Sequence, residues 1–360
     1  MYACTFCGRT YESSPDEPWR CACGHALDFA DRPLPDGPAP DPVALDTRPG
    51  LWTFSEFLPM EPRVTLGEGW TPLVDAAEWN AQFKLEYVFP TGSFKDRGAT
   101  TTLSWASQLG VETVIEDSSG NAGAAIATYA ARAGIDAEIY VPAAVKPAKR
   151  RAIERAGATV VPIEGDRQAV TDACIEAAER GEGWYASHAW NPAFFAGTQT
   201  VAFELAAQRD WDVPDAVVLP LGHGTLFLGA YRGFKALLEA GWTTEMPRLL
   251  GAQAAGFAPI ADERHGPTDA KNDVADGIQI RDPARKDQLL AAIEATGGDA
   301  IAVEAEETNA ELDRLHRAGF YVEPTSASAT AALAVYRARG VIDDGDDVVV
   351  PLTGSGLKMQ

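Results

Sequence analysis

The sequence predicts an α/β protein of two or three units, built on parallel sheets that helices cover on both faces. Three observations carry this. Between residues 111 and 240, short apolar runs alternate with helical segments, the pattern of strand–helix–strand crossovers. The chain has 360 residues, 46% of them hydrophobic, enough to bury a large core; at about 150 residues per domain this gives two or three units. Four of the five cysteines fall at the very start, which sets a small separate element apart from the rest.

Taken in order, residues 1–30 hold Cys4 and Cys7, then Cys21 and Cys23. Cys4-x-x-Cys7-Gly8 has the spacing of a zinc knuckle, where glycine permits the tight turn that aims both thiolates at one ion. The second pair is Cys-x-Cys, followed by Gly24 and His25, off the usual spacing. A structural zinc site made by Cys4, Cys7, Cys21 and Cys23 is the expectation, with His25 as a substitute for Cys21 or Cys23. The alternative is a degenerate ribbon that no longer binds metal. A segment this small has little core, so an intact site would hold it folded through the metal. Residues 31–60 read as a linker, rich in Pro and Asp over their first part, and 61–360 as the catalytic region. Strands are expected at 111–116, 137–141, 159–163 and 216–220. Helices are expected at 121–132, 149–156, 167–180 and 226–240.

The net charge of −22 argues against nucleic acid or an anionic membrane as partner. Acidic residues spread along the whole chain suit a solvated surface, and more specifically a very saline cytoplasm in which self-repulsion is screened, a halophilic source. No apolar stretch reaches transmembrane length, and the N-terminus lacks the basic and apolar regions of a signal peptide. A cytoplasmic protein is expected, whose reduced cysteines bind metal or pack rather than form disulfides.

Four stretches carry chemistry. In Pro90-Thr91-Gly92-Ser93-Phe94-Lys95-Asp96-Arg97-Gly98, a lysine sits between an aromatic and a glycine-containing turn. Partial burial there would favour the free amine that Schiff-base chemistry needs, whereas a plain loop lysine would be a surface charge. Ser118-Ser119-Gly120-Asn121 lies between a strand and an Ala-rich helix, where open backbone N–H groups suit an anion and a serine could equally be a simple cap. Gly222-His223-Gly224-Thr225 is again a strand-to-helix turn, a tight turn or a phosphate cup to which Thr225 adds a hydroxyl. The chain closes on Leu352-Thr353-Gly354-Ser355-Gly356-Leu357-Lys358.

Together these strings resemble the threonine synthase-like group of pyridoxal-phosphate (PLP) enzymes, from about residue 64 to the C-terminus. Leu66-Gly67-Glu68-Gly69-Trp70-Thr71-Pro72-Leu73 and Glu323-Pro324-Thr325-Ser326-Ala327 resemble two further segments of that group. The resemblance implies the tryptophan-synthase-β-like architecture (fold type II), with a small lobe over about 100–187 and a large lobe from the remainder. It implies that Lys95 carries PLP covalently and moves the substrate's α-proton. Ser118, Ser119 and Gly120 would hold the substrate carboxylate, and Asn121 the ring's 3-hydroxyl. Gly222, His223, Gly224 and Thr225 would cradle the phosphate, and Thr353 would meet the ring nitrogen, with Ser355 as its neighbouring alternative. The expected partner is a small amino acid, and the expected assembly a homodimer.

The pattern departs from that group at two positions. Phe194 stands where the group keeps a phosphate-gripping Arg, and Phe89 where it usually has Asn. Phenylalanine cannot pair with a phosphate dianion. Two activities are therefore expected as alternatives: a carbon–oxygen lyase converting O-phosphohomoserine to threonine, or a serine/threonine dehydratase-like or β-replacement enzyme on a non-phosphorylated amino acid. A PLP-binding protein without turnover is the third reading, which intact Lys95, Asn121 and Thr353 oppose.

Overall fold

The computed structural model describes residues 1–359, and the chain divides into two compact units. The first comprises Met1–Pro35, Thr47–Gly69 and Lys95–Thr198; the second comprises Asp36–Asp46, Trp70–Phe94 and the chain from Gln199 onward. Among the described residues no helix is long and apolar enough to cross a membrane.

The first unit is built on a parallel sheet in the order Thr159–Ile163, Asp136–Pro142, Thr113–Glu116, Trp184–Tyr185. Helices Asn121–Ala133, Pro147–Arg155 and Arg167–Glu179 connect these strands in turn, as the alternation of apolar and helical segments predicts. Observed bounds differ from expectation by a residue or two, for local reasons. The helix expected from 149 begins at Pro147, because a proline in the first turn gives up only an N–H that would have had no partner. The helix Asn121–Ala133 stops at Gly134, whose left-handed conformation (φ +69°) turns its N–H back onto the last carbonyls. The N-terminal residues form a three-stranded antiparallel sheet, Thr10–Tyr11, Tyr2–Cys4 and Leu27–Phe29, within this same unit. It is seated by an aromatic cluster in which the Phe29 ring lies 5.2 Å from both Tyr2 and Trp105. The Tyr2 hydroxyl donates to Glu17 (2.7 Å), which also accepts from Trp184 Nε1 (3.2 Å). Burial pushes the Glu17 carboxyl up to about 7.

The second unit carries a six-stranded sheet in the order Asp299–Val303, Arg248–Ala254, Ala216–Pro220, Val348–Pro351, Ala81–Lys84, Leu73–Ala76. All pairs are parallel except the last. Its central strands are fully buried runs such as Ala216–Pro220 and Val348–Pro351, as a sheet covered on both faces requires. The Pro- and Asp-rich stretch read as a linker is held here in part: Trp211 Nε1 donates to Pro40 O (2.7 Å) and Trp242 Nε1 to Gly37 O (3.2 Å).

A buried ion pair fastens the start of this unit to its sheet. Lys84 and Glu204 are both fully buried, with Nζ 2.9 Å from Oε2. Lys84 Nζ also donates to Thr71 O (2.6 Å) and Gln208 Oε1 (2.8 Å), and Thr71 N–H donates to Glu204 (3.2 Å). Removing one partner of such a pair strands the other charge in the interior. Lys84→Met is therefore expected to cost about 3–5 kcal/mol, read as a fall in the urea midpoint, and Lys84→Met with Glu204→Leu to recover part of that loss.

Candidate active site

In α/β folds, ligands are met at the carboxyl ends of the parallel strands, and in each unit the chemistry-bearing turns lie there. In the first unit the strand Thr113–Glu116 runs into Ser118-Ser119-Gly120, and Asn121 opens the next helix. Gly120 is the capping residue and supplies no side-chain cap, so the turn's N–H groups are offered from the backbone alone. Neither Ser118 nor Ser119 caps this helix; Ser118 Oγ instead accepts from Gly120 N–H (3.3 Å). Gly123 has a packing reason to be glycine, since a Cβ there would lie 1.7 Å from Ser118 O.

Lys95 is half-buried and is the first residue of helix Lys95–Leu109. Phe194, on helix Pro192–Thr198, is fully buried, and Lys95 Nζ lies 5.8 Å from its ring centre. The ring occupies a notch made by Gly98, where a Cβ would fall 2.1 Å from Phe194 Cδ1. Beneath the lysine, Asp96 is fully buried and meets the Tyr129 hydroxyl (3.3 Å), which also donates to Glu68 (3.1 Å). Glu68 further accepts from Trp52 Nε1 (3.2 Å) and Leu66 N–H (2.7 Å). The Gly-Glu-Gly entry segment thus acts as a hydrogen-bonded footing for the lysine helix.

The same unit contains a pair that reading the sequence missed. His188 Nδ1 lies 2.6 Å from Glu116 Oε1, and the His188 backbone N–H donates to Oε2 (3.3 Å). Glu116 is fully buried and His188 nearly so. Burial first, and the neighbouring Asp117 second, hold the Glu116 carboxyl well above the usual range. Asp117 in turn accepts from the Tyr185 (2.8 Å) and Thr171 (2.6 Å) hydroxyls. A His three positions ahead of Asn191-Pro192 was the available signal, but its partner stands 72 positions away.

In the second unit Ala216–Pro220 and Val348–Pro351 are neighbouring parallel strands, so the turns that follow them, 221–225 and 352–355, leave the sheet side by side. Gly224 caps helix Thr225–Glu239 in a left-handed conformation (φ +76°). A Cβ at Gly222 would come within 3.1 Å of Ile278 Cα, and one at Gly224 within 2.3 Å of Leu289 Cδ2. The left-handed conformation therefore favours glycine at 224 whatever the ligand, and the space at 222 is tight for any side chain. His223 is half-buried and Thr225 buried. Thr353 is clamped by Ser326: Ser326 Oγ accepts from Thr353 N–H (2.9 Å) and Gly354 N–H (3.0 Å), and shares a hydrogen bond with Thr353 Oγ1 (3.1 Å). Phe94, the residue before Lys95, donates its N–H to Thr353 O (3.0 Å). Backbone N–H groups at the start of a 15-residue helix, beside a threonine hydroxyl, are a donor set for a phosphate dianion. This donor set in the second unit fits the phosphate of a cofactor such as PLP.

Near the N-terminus, the Sγ atoms of Cys4, Cys7, Cys21 and Cys23 all lie within 4.8 Å of one another. Cys4 to Cys23 is 3.6 Å and Cys7 to Cys21 is 3.5 Å, close to the sulfur separation of about 3.8 Å that Zn–S bonds of about 2.3 Å give in a tetrahedron. Two turns aim the thiols, closed by Gly8 N–H to Cys4 O (2.9 Å) and Gly24 N–H to Cys21 O (2.8 Å). His25 stands beside this cluster, stacked on Phe6 at 3.8 Å, with Nδ1 3.5 Å from Cys23 Sγ.

Parallel α/β sheets with glycine- and hydroxyl-rich turns at their strand ends, one opening on a half-buried lysine, define a cofactor-dependent enzyme class. Residues 64–354 match the family of pyridoxal-phosphate dependent enzymes, and the chain belongs to that family. It is 32% identical to a threonine synthase of Methanocaldococcus jannaschii, across 99% of this chain and 93% of that protein. It is 35% identical to a threonine synthase of Methanosarcina acetivorans, across 86% and 80%. Among solved structures, it shares the fold of the processed threonine deaminase isoform 2 of Solanum lycopersicum, with a TM-score of 0.68 and 21% identity over 79% of each chain.

Proposed function

We propose that this chain is a PLP-dependent carbon–oxygen lyase that nominally converts O-phosphohomoserine to threonine. The observation that carries this reading is the likeness to a threonine synthase over nearly the full length of both proteins. A local feature supports it. Lys146, Lys149, Arg150 and Arg151 stand at and within the start of helix Pro147–Arg155, in a chain of net charge −22. That helix follows the strand neighbouring Thr113–Glu116, so its cations leave the sheet beside the Ser118–Gly120 turn and suit an anionic substrate.

When bound, PLP supplies an electron sink for the charge left at the substrate's Cα. The Lys95 amine takes the α-proton. Ser118, Ser119 and Gly120 hold the substrate carboxylate, and Asn121 the ring hydroxyl. Gly222, His223, Gly224 and Thr225 hold the cofactor phosphate, and Thr353 faces the ring nitrogen. Phe194 supports a second reading, a serine or threonine dehydratase-like enzyme. Its ring fills the Gly98 notch, where the family resemblance leads one to expect an arginine. We also infer that Cys4, Cys7, Cys21 and Cys23 hold one structural zinc.

Borohydride reduction of the holoenzyme should fix a pyridoxyl group on Lys95, located by peptide mapping; a label on another lysine would refute its assignment. Phosphate release accompanied by threonine from O-phosphohomoserine should exceed, in kcat/KM, the 2-oxo acid formed from serine or threonine by about tenfold or more. The reverse order would establish the second reading. Metal analysis should find about one zinc per chain, which Cys4→Ser releases, with unfolding of the N-terminal strands seen by hydrogen exchange.

A further inference from the structure

The Glu116–His188 pair stands at the reacting edge of the first unit and takes no part in the roles assigned above. Glu116 is the last residue of strand Thr113–Glu116, two positions ahead of the Ser118–Gly120 turn. His188 follows Trp184–Tyr185, the neighbouring parallel strand, so both residues emerge at the same carboxyl end of the sheet. Both Glu116 oxygens are spent on His188, one on Nδ1 and one on the backbone N–H. Nδ1 therefore faces the Glu116 carboxyl, and Nε2 lies on the side of the ring away from it. The imidazole stands edge-on to Phe194, with ring centres 6.1 Å apart and planes at 67°. Lys95 Nζ lies 5.8 Å from the centre of that same phenyl ring, so the lysine and the imidazole both border one side chain. As packing alone the pair is a poor choice, because hydrophobic residues of similar volume would serve the interior as well or better.

We propose that His188, oriented by Glu116, gives and takes the proton at the oxygen on the substrate's Cβ. The proposal rests on the lyase reading and serves both of its substrate classes. In dehydration of a 3-hydroxy amino acid, the Lys95 amine keeps the proton taken from Cα. The Cβ–O bond breaks with its electron pair going to oxygen, and the His188 imidazolium proton completes a water molecule. Lys95 then returns a proton to solvent, and His188 recovers one. In threonine formation the Cγ–O bond breaks first, phosphate taking its electron pair and Cγ gaining the proton lost from Cβ. Water then attacks Cβ of the resulting Cα=Cβ double bond, whose electron pair ends at Cα and takes the proton held by Lys95. Neutral His188 takes the water's proton, the same transfer in reverse. Glu116 is a positioning residue, holding His188 through one oxygen on Nδ1 and the other on the backbone N–H.

The test separates the Cα–H step, which needs Lys95, from the Cβ–O step. Holoenzymes of the wild type, His188→Gln and Glu116→Gln are incubated in D2O with L-threonine and, separately, with O-phosphohomoserine. Proton NMR follows α-proton exchange and product formation, alongside the visible absorbance of bound PLP and the thermal midpoint. Glutamine at 188 keeps an amide donor for Glu116 and removes the titrating ring. Product formation by His188→Gln should fall about 10²–10⁴-fold, while α-proton exchange stays within about threefold and the cofactor absorbance is unchanged. Glu116→Gln should lose product formation in the same selective way, by a smaller factor. Equal loss of exchange and product, or full product formation by His188→Gln, would overturn the proposal while leaving the lyase reading intact. Wild-type holoenzyme that exchanges no α-proton and converts neither substrate would overturn the lyase reading and this proposal with it.

Discussion

The close approach of helices Lys95–Leu109 and Pro192–Thr198 is the constraint on which the first unit's site depends. Glycine makes the approach possible from both sides. A Cβ at Gly98 would enter the Phe194 ring, and one at Gly197 would lie 1.9 Å from Arg97 O and 2.3 Å from Thr101 Oγ1. Thr101 closes the contact by donating its hydroxyl to Ala193 O (2.8 Å). Extra atoms forced into such a seam displace backbone, at a cost of about 1–3 kcal/mol. The contact sets the height of Lys95 against Phe194, and the turn from Trp184–Tyr185 into the second helix places His188 beside that ring. Gly98 of the lysine motif therefore has a structural purpose that any cofactor role only adds to.

The second unit solves a different problem. Its sheet is apolar and buried on both faces, so specificity has to come from the turns at the strand ends. Thr353 is held there by Ser326, whose Oγ accepts from the Thr353 N–H and shares a hydrogen bond with its hydroxyl. Gly354 lies so close to Glu323 that a Cβ would fall 2.3 Å from its carboxyl carbon. A short polar side chain pinned in this way loses little entropy when a ligand arrives, the preorganisation that a binding site needs. The sheet's other anchor, Lys84 with Glu204, is more polar than packing requires, and ties the Trp70–Thr71 segment to the strand that runs beside Val348–Pro351.

Charge is distributed with a purpose that composition alone does not convey. The chain is acidic throughout, yet the first unit gathers cations around residues 146–155 and buries Glu116 against an imidazole. An acidic exterior is screened by salt, whereas a pair in a dry interior is not, so the surface and the site respond differently to ionic strength.

The sequence by itself determined the class of fold, much of the strand–helix alternation between residues 111 and 240, and the family. Those features rest on periodicity and on contiguous strings such as Gly92–Gly98 and Leu352–Lys358, which local chemistry makes legible. The two N-terminal cysteine turns were legible for the same reason, each closed by its own glycine, while the approach of Cys4 to Cys23 and Cys7 to Cys21 joins the two turns across the chain. Tertiary structure alone decided the partners that are distant in the chain. Glu116 meets His188 only because Thr113–Glu116 and Trp184–Tyr185 become neighbours in one sheet, and Ser326 reaches Thr353 across 27 positions. It also decided that Phe194 is a fully buried ring seated in a glycine notch. Burial and strand order are properties of the packed sheet, and no local pattern of residues encodes them.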